Sequence, residues 1–109
     1  MNSYPAMAIN IETLAPELAN RSGGLSGPAI KPIAVKLVWD AAQAANLPII
    51  GMGGIFEPED AIEFMIAGAT AVAVGTANFV DPSTVERVID GIENYLVRHT
   101  ECRDYPVNT

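Results

Sequence analysis

Two apolar runs in this chain end in glycine, and they are where its residues could do chemistry. The first is Pro48-Ile49-Ile50-Gly51-Met52-Gly53-Gly54-Ile55, and the second is Thr70-Ala71-Val72-Ala73-Val74-Gly75-Thr76. Each is apolar without alternation, which predicts a strand buried on both faces. Glycine at the end of a strand lets the backbone turn sharply and lets a ligand approach closely. Two consecutive strands that both open onto glycine at their C-terminal ends are the arrangement that holds phosphate in α/β proteins.

The other reactive side chains have simpler readings. Glu57, Glu59 and Asp60 cluster as metal ligands do, but acidic residues around Pro58 are first of all favourable charge at a helix N-terminus, and no metal site is predicted. His99 is read as a solvated side chain at a helix end, interacting with the helix dipole rather than acting as a base. Cys102 is the single cysteine; it is read as an exposed, inert thiol, and one cysteine fits a reducing compartment. Lys31 is read as a solvated lysine at a helix start rather than a phosphate ligand, and Trp39 as a packing residue. No residue is assigned as catalytic.

The 109 residues suffice for one small domain. Half are hydrophobic and 17% are charged, so a packed core is expected rather than disorder. A net charge of −7 argues against non-specific nucleic-acid binding and against an anionic membrane surface. It does not exclude one phosphate group, which backbone N–H groups at a helix start can hold. The apolar runs fall far short of the roughly 20 residues of a membrane span, and Met1-Asn2-Ser3-Tyr4-Pro5 lacks the features of a signal peptide. A cytoplasmic protein is expected.

The elements that must position the glycine turns follow in order. Residues 1–31, with three prolines and the cluster Ser22-Gly23-Gly24-Leu25-Ser26-Gly27, read as a long loop of the active-site type. Ala6 to Ile11 could form a short strand within it. Residues 32–98 read as helix, strand, helix, strand, helix, and 99–109 as a polar tail. The first helix runs from Pro28 to Asn46 with Pro32 in its opening turn, and Ile33, Leu37, Val38 and Ala41 face the core. Strands follow at Leu47 to Met52 and Thr70 to Val74. Between them lies a helix that opens at Phe56 to Asp60, with Ala61, Phe64, Met65 and Ala67 inward and Gly68 at its end. Asp81 is the expected N-cap of the last helix, whose stripe is Val85, Val88, Ile89, Ile92, Tyr95 and Leu96. Buried strands joined by helices imply a parallel sheet. Two strands and three helices cannot cover both faces of one, so the chain reads as an incomplete α/β unit.

Three segments carry a resemblance. Ser22-Gly23-Gly24-Leu25-Ser26-Gly27-Pro28-Ala29-Ile30-Lys31-Pro32, Ile49-Ile50-Gly51-Met52-Gly53-Gly54-Ile55 and Val74-Gly75-Thr76-Ala77-Asn78-Phe79 resemble, in order and spacing, the C-terminal portion of the dihydroorotate dehydrogenases. The wording is most similar to the catalytic FMN subunit of the NAD-linked class, and the likeness extends from Asn2 to about Leu96. It implies part of a (β/α)₈ TIM barrel that binds FMN and oxidises dihydroorotate to orotate in pyrimidine biosynthesis. Leu47 to Met52 would be the seventh barrel strand, Thr70 to Val74 the eighth, and Asn2 and Ser3 would lie just past the sixth.

The resemblance also implies roles. Gly27, Gly53, Gly54, Gly75 and Thr76 match FMN-contacting positions, the last four as the phosphate cradle, and Met1 matches a residue whose backbone touches the flavin. Asn2 and Ser3 match a pair that hydrogen-bonds the pyrimidine, where the second is commonly threonine. Ala6 and Asn10 stand where the family typically has Gly and Asp, away from the ligands. A whole barrel runs to about 250 residues. The family's catalytic cysteine base, its flavin-contacting lysine and most substrate-binding asparagines belong to parts that this chain does not match.

Two further readings stand beside this one. In the first, the chain is a non-catalytic barrel fragment that self-associates or docks on an N-terminal partner. In the second, it belongs to a related flavin barrel such as the pyrimidine-reducing domain of dihydropyrimidine dehydrogenase. The family class it most resembles also implies a partner subunit with FAD and an iron–sulfur cluster.

Overall fold

The computed structural model describes residues 3–99; the expectations attached to Met1, Asn2, Cys102 and residues 100–109 lie outside them. The chain starts with a nested antiparallel ribbon. Strand β1 (Tyr4–Ala6) pairs with β4 (Gly23–Leu25), and inside that pair β2 (Ile9–Asn10) pairs with β3 (Ala15–Pro16). Asn10 builds the inner turn. Its Oδ1 accepts the N–H groups of Glu12 and Thr13 at 2.9 and 3.2 Å, and Leu14 takes a left-handed conformation at φ 61°. The segment expected as a loop with one strand is therefore a ribbon of four very short ones. Strands of two or three residues are too short for a period-2 pattern to register.

A 3₁₀ turn (Pro28–Ile30) leads into α1 (Lys31–Ala44), with Pro32 in the first turn, where its missing N–H costs nothing. The helix stops at Ala44, before Asn46. Its inward residues are Ala34 and Val38, while Ile33 and Leu37 are exposed, so the expected face is rotated. The small Ala34 permits close approach, and Ile33 and Leu37 lie on a flank left 40% and 44% exposed.

The centre is a parallel pair, β5 (Ile50–Met52) and β6 (Ala71–Ala73), in the register Ile50↔Ala71, Gly51↔Val72 and Met52↔Ala73. Both are shorter than expected. Helix α2 (Pro58–Ala67) joins them. A reciprocal capping box starts it, with Glu57 accepting from the third-position N–H and Asp60 accepting from the Glu57 N–H. The three acidic residues thus serve the helix start as expected. Gly68, at φ 129°, ends the helix.

A short helix that the sequence did not suggest, α3 (Ala77–Val80), precedes α4 (Thr84–Arg98). The N-cap of α4 is Ser83, not Asp81. Asp81 sits in the turn between the two helices, where its Oδ1 accepts the N–H and the hydroxyl of Ser83 at 3.0 and 2.7 Å. Along α4, Val88 is buried and Ile92 packs on the core, but Val85, Ile89 and Leu96 are exposed.

The core lies on one side of the β5–β6 pair. It gathers Ala34 and Val38 of α1, Ala61, Phe64 and Ala67 of α2, Ile55, Ala69 and Val88, with Trp39, Ile49, Val72 and Val74 against it. Alanines at half of these positions let the helices sit close to the strands. Gly51 serves the same end, since a Cβ there would lie 2.8 Å from the Phe64 ring. Among the described residues no helix is long and apolar enough to cross a membrane.

Candidate functional site

Because β5 and β6 are parallel and paired through Met52↔Ala73, the segments Gly53-Gly54 and Gly75-Thr76 leave the sheet side by side. Gly53 and Gly54 adopt φ values of 122° and 77°, a left-handed region that favours glycine. Gly75 shows no such demand. Thr76 precedes α3 as its N-cap. Asn78 closes that turn by donating from Nδ2 to the Val74 carbonyl at 2.9 Å.

The ribbon delivers a third segment to the same place. Gly27, buried and at φ 98°, ends it just before the 3₁₀ turn. A Cβ built on Gly54 would lie 2.8 Å from the Gly27 carbonyl oxygen, 2.8 Å from Lys31 Cβ and 2.9 Å from Lys31 N. The two backbones therefore meet with no room for a side chain. On the other side, Thr76 Oγ1 donates to Ser26 Oγ at 2.8 Å. Gly27, Gly53, Gly54, Gly75 and Thr76, far apart in sequence, converge in three segments at one end of the parallel pair. A Cβ on Gly27 would meet no atom within 4 Å, so open space remains beside it. Ser3 lies against the ribbon: a Cβ on Gly24 would be 2.9 Å from Ser3 Oγ.

The charges around these turns are paired. Lys31, expected to be solvated, instead turns inward, and its side chain is 26% exposed. Its Nζ lies 2.7 Å from Asp60 Oδ1 and 3.0 Å from Glu63 Oε1. The hydrogen bonds to Asp60 and then Glu63 raise the Lys31 pKa above its ordinary value. Burial pushes the Asp60 carboxyl up, but the hydrogen bond from Lys31 and the N–H groups of Glu57 and Phe56 outweigh it, and its pKa is lowered. Arg87 of α4 reaches back to the start of α2, with Nη1 2.9 Å from Glu57 Oε2 and Nη2 3.3 Å from the Phe56 carbonyl. Its buried Nε is 3.4 Å from Asp81 Oδ2, close enough for an ion pair but without hydrogen-bond geometry. His99 is not fully solvated: its ring stacks on Tyr95 at 4.1 Å, and Nδ1 lies 2.9 Å from the Tyr95 carbonyl.

Sequence reasoning passed over Ser26, read Lys31 as solvated, and gave Asp60 its helix-start role but not its pairing with Lys31. Ser26 carried a signal only as part of the glycine cluster. The Lys31–Asp60 pair spans 29 positions, a separation at which no periodicity links two residues. The arrangement as a whole offers backbone groups, two hydroxyls and space, with the adjoining cation already neutralised. That chemistry suits a small anion held by N–H groups. Among the described residues no group of three or more His, Cys, Asp or Glu could hold a metal ion.

The dihydroorotate dehydrogenase family model matches residues 1–96. A protein of Geotalea uraniireducens named dihydroorotate dehydrogenase B (NAD(+)), catalytic subunit, is 56% identical over 96 residues, which is 88% of this chain and 32% of that protein. A Bacteroides fragilis protein of the same name is 52% identical over 99 residues, 91% of this chain and 33% of that one. The crystal structure of DHODH from Eimeria tenella in complex with ferulenol matches with a TM-score of 0.69 at 34% identity, covering 94% of this chain and 28% of that chain. The chain thus spans about a third of the length of the curated relatives it matches. With the family model covering nearly all of the described fold, the chain belongs to the dihydroorotate dehydrogenase family.

Proposed function

We propose that this chain supplies the FMN phosphate cradle, and part of the pyrimidine site, of a dihydroorotate dehydrogenase barrel whose other strands come from elsewhere. In this reading β5 and β6 are the seventh and eighth strands of a TIM barrel, and the site lies at their C-terminal ends, where barrels commonly bind phosphate. One observation carries it: Gly27, Gly53-Gly54 and Gly75-Thr76 converge there, with Gly54 packed on the Gly27 carbonyl and Thr76 bonded to Ser26.

The residues fit the group. A phosphate needs close backbone approach, which glycine at 53 and 75 favours; Gly54 lets the Gly27 segment pack against the turn, and the space beside Gly27 is open. Thr76 Oγ1 adds a hydroxyl. Ser3, with Asn2, would hydrogen-bond the pyrimidine. When bound, FMN supplies a hydride acceptor for the oxidation of dihydroorotate to orotate. These residues contribute binding and orientation to that chemistry. The relatives' description as a catalytic subunit supports a further partner, an FAD and iron–sulfur subunit that passes electrons to NAD, in a cytoplasmic enzyme of pyrimidine biosynthesis.

Titration with FMN and with riboflavin tests the cradle. FMN is expected to bind more tightly than riboflavin, which lacks the phosphate, and to raise the melting temperature. Equal affinity for the two would sink the reading. Co-expression with the N-terminal two-thirds of a relative's barrel is expected to restore flavin retention and orotate formation.

A second reading has its own support. Ile50, at the middle of the fold, is 62% exposed, as expected of a fragment whose sheet needs covering. In that case the chain docks on a partner or on itself and turns nothing over. A complex that forms without retaining flavin would favour it.

A further inference from the structure

One carboxylate ties together two segments of the candidate site, those of Gly27 and of Gly53-Gly54. Asp60 Oδ1 accepts from Lys31 Nζ at 2.7 Å, while Oδ2 accepts the N–H groups of Phe56 and Glu57 at 3.0 and 2.9 Å. Phe56 ends the turn that begins at Gly53. Lys31 begins α1, directly after the 3₁₀ turn that follows Gly27, and its backbone N is one of the atoms that Gly54 packs against. Glu63 holds the same ammonium from the next turn of α2 at 3.0 Å. The side chains of Lys31 and Asp60 are 26% and 17% exposed, so the pair is largely shielded.

We propose that Lys31 and Asp60 are positioning residues for the cradle, a latch that seats the Gly27 segment against the Gly53–Gly54 turn and so sets the width of the anion site. The proposal rests on the cradle reading above. Lys31 has the charge to grip a phosphate itself, but its ammonium already faces two carboxylates, one on each of two successive turns of α2. It acts through the backbone it orients. The titratable groups that face it are Asp60 and Glu63, both acidic, so the latch stays closed across neutral pH. Its pKa shifts agree, with the lysine raised and Asp60 lowered.

Gripping and positioning predict opposite outcomes for one substitution. If Lys31 gripped the phosphate directly, Asp60→Asn would free the ammonium and tighten FMN binding. If the pair positions the backbone, Asp60→Asn weakens FMN binding as Lys31→Met does. We expect each single variant of the 109-residue chain to lose about twofold to fivefold in FMN affinity, the scale of a partly shielded ion pair. The double variant should be no weaker than the worse single one, and Lys31→Arg should recover most of the loss. Flavin fluorescence gives the affinities, with riboflavin alongside. Amide exchange of the ligand-free chain should quicken at Gly27 to Ile30 in Lys31→Met.

Tighter FMN binding in Asp60→Asn overturns the proposal in favour of direct contact. Lower melting temperatures with unchanged FMN affinity overturn it in favour of a purely structural pair. Wild-type chain that binds FMN no better than riboflavin overturns the cradle reading and the latch with it. Unchanged exchange at Gly27 to Ile30 overturns the latch alone.

Discussion

The two faces of the β5–β6 pair differ sharply. Toward the helices, Gly51 and Val72 meet Phe64 and its neighbours, and Phe64 is fully buried. On the opposite face Ile50 is 62% exposed and Ala71 is exposed as well. Both faces are equally apolar in sequence. Parallel sheets are usually covered on both faces; here the helical face is covered and the opposite one is exposed. In a closed barrel that face would point into the interior, which is filled with side chains from other strands. The contrast places the converging glycine turns beside one packed face and one exposed face of the same strand pair.

The contrast can be broken most directly at Phe64. Phe64→Ala should cost about 3–5 kcal/mol, the usual range for emptying a buried aromatic site, and urea unfolding will read it. A loss under 1 kcal/mol would mean that the helical face is not the core. The next effect is expected at the turn. Gly54→Ala forces a left-handed φ on alanine and drives its Cβ into the Gly27 carbonyl, for about 1–3 kcal/mol. Gly27→Ala carries only the strain, since its Cβ meets open space. A thermal-unfolding comparison should therefore rank Gly54→Ala as the worse variant.

A smaller effect follows pH. The lowered pKa of Asp60 contributes stability that is present above its ordinary value of 3.8 and is lost as pH falls through the folded value. The raised pKa of Lys31 contributes stability that is complete below 10.5 and is lost as pH rises through the folded value. Melting temperature should thus hold a plateau between these limits, and Asp60→Asn should flatten the acid limb. An unaltered acid limb would remove Asp60 from the account. The smallest effect is expected at Ile50. Ile50→Lys should change the stability of the isolated chain by no more than about 0.5 kcal/mol, as surface substitutions do, yet block assembly with an N-terminal barrel segment in a pull-down. Loss of stability rivalling that of Phe64→Ala would show that the two faces are alike after all.

Much of the helix–strand order was legible because its signals are local. Phe64 with Ala61 and Ala67 follows helical spacing, Gly68 stops that helix, and the glycine turns stand out after unbroken apolar runs. The nested ribbon was not legible, since its strands carry too few residues to show alternation and most of them face solvent. The face of α1 was misjudged for a related reason. Hydrophobicity favours Ile33 and Leu37, but the neighbours that exist to cover them decide burial, and close packing selected Ala34 instead. Asp81 has the right chemistry for an N-cap; only the extra turn of α3 moved that role to Ser83.

The sequence by itself determined the glycine positions, the parallel strand–helix–strand unit and the family, because each rests on residue types at short spacing or in a distinctive order. The tertiary structure alone decided which residues meet. The packing of Gly54 on Gly27, the Thr76–Ser26 bond and the Lys31–Asp60–Glu63 cluster join residues whose separation along the chain leaves no pattern. It also decided that one of two equally apolar sheet faces is the core and the other is open. Burial depends on what the rest of the fold brings near, and composition cannot specify that.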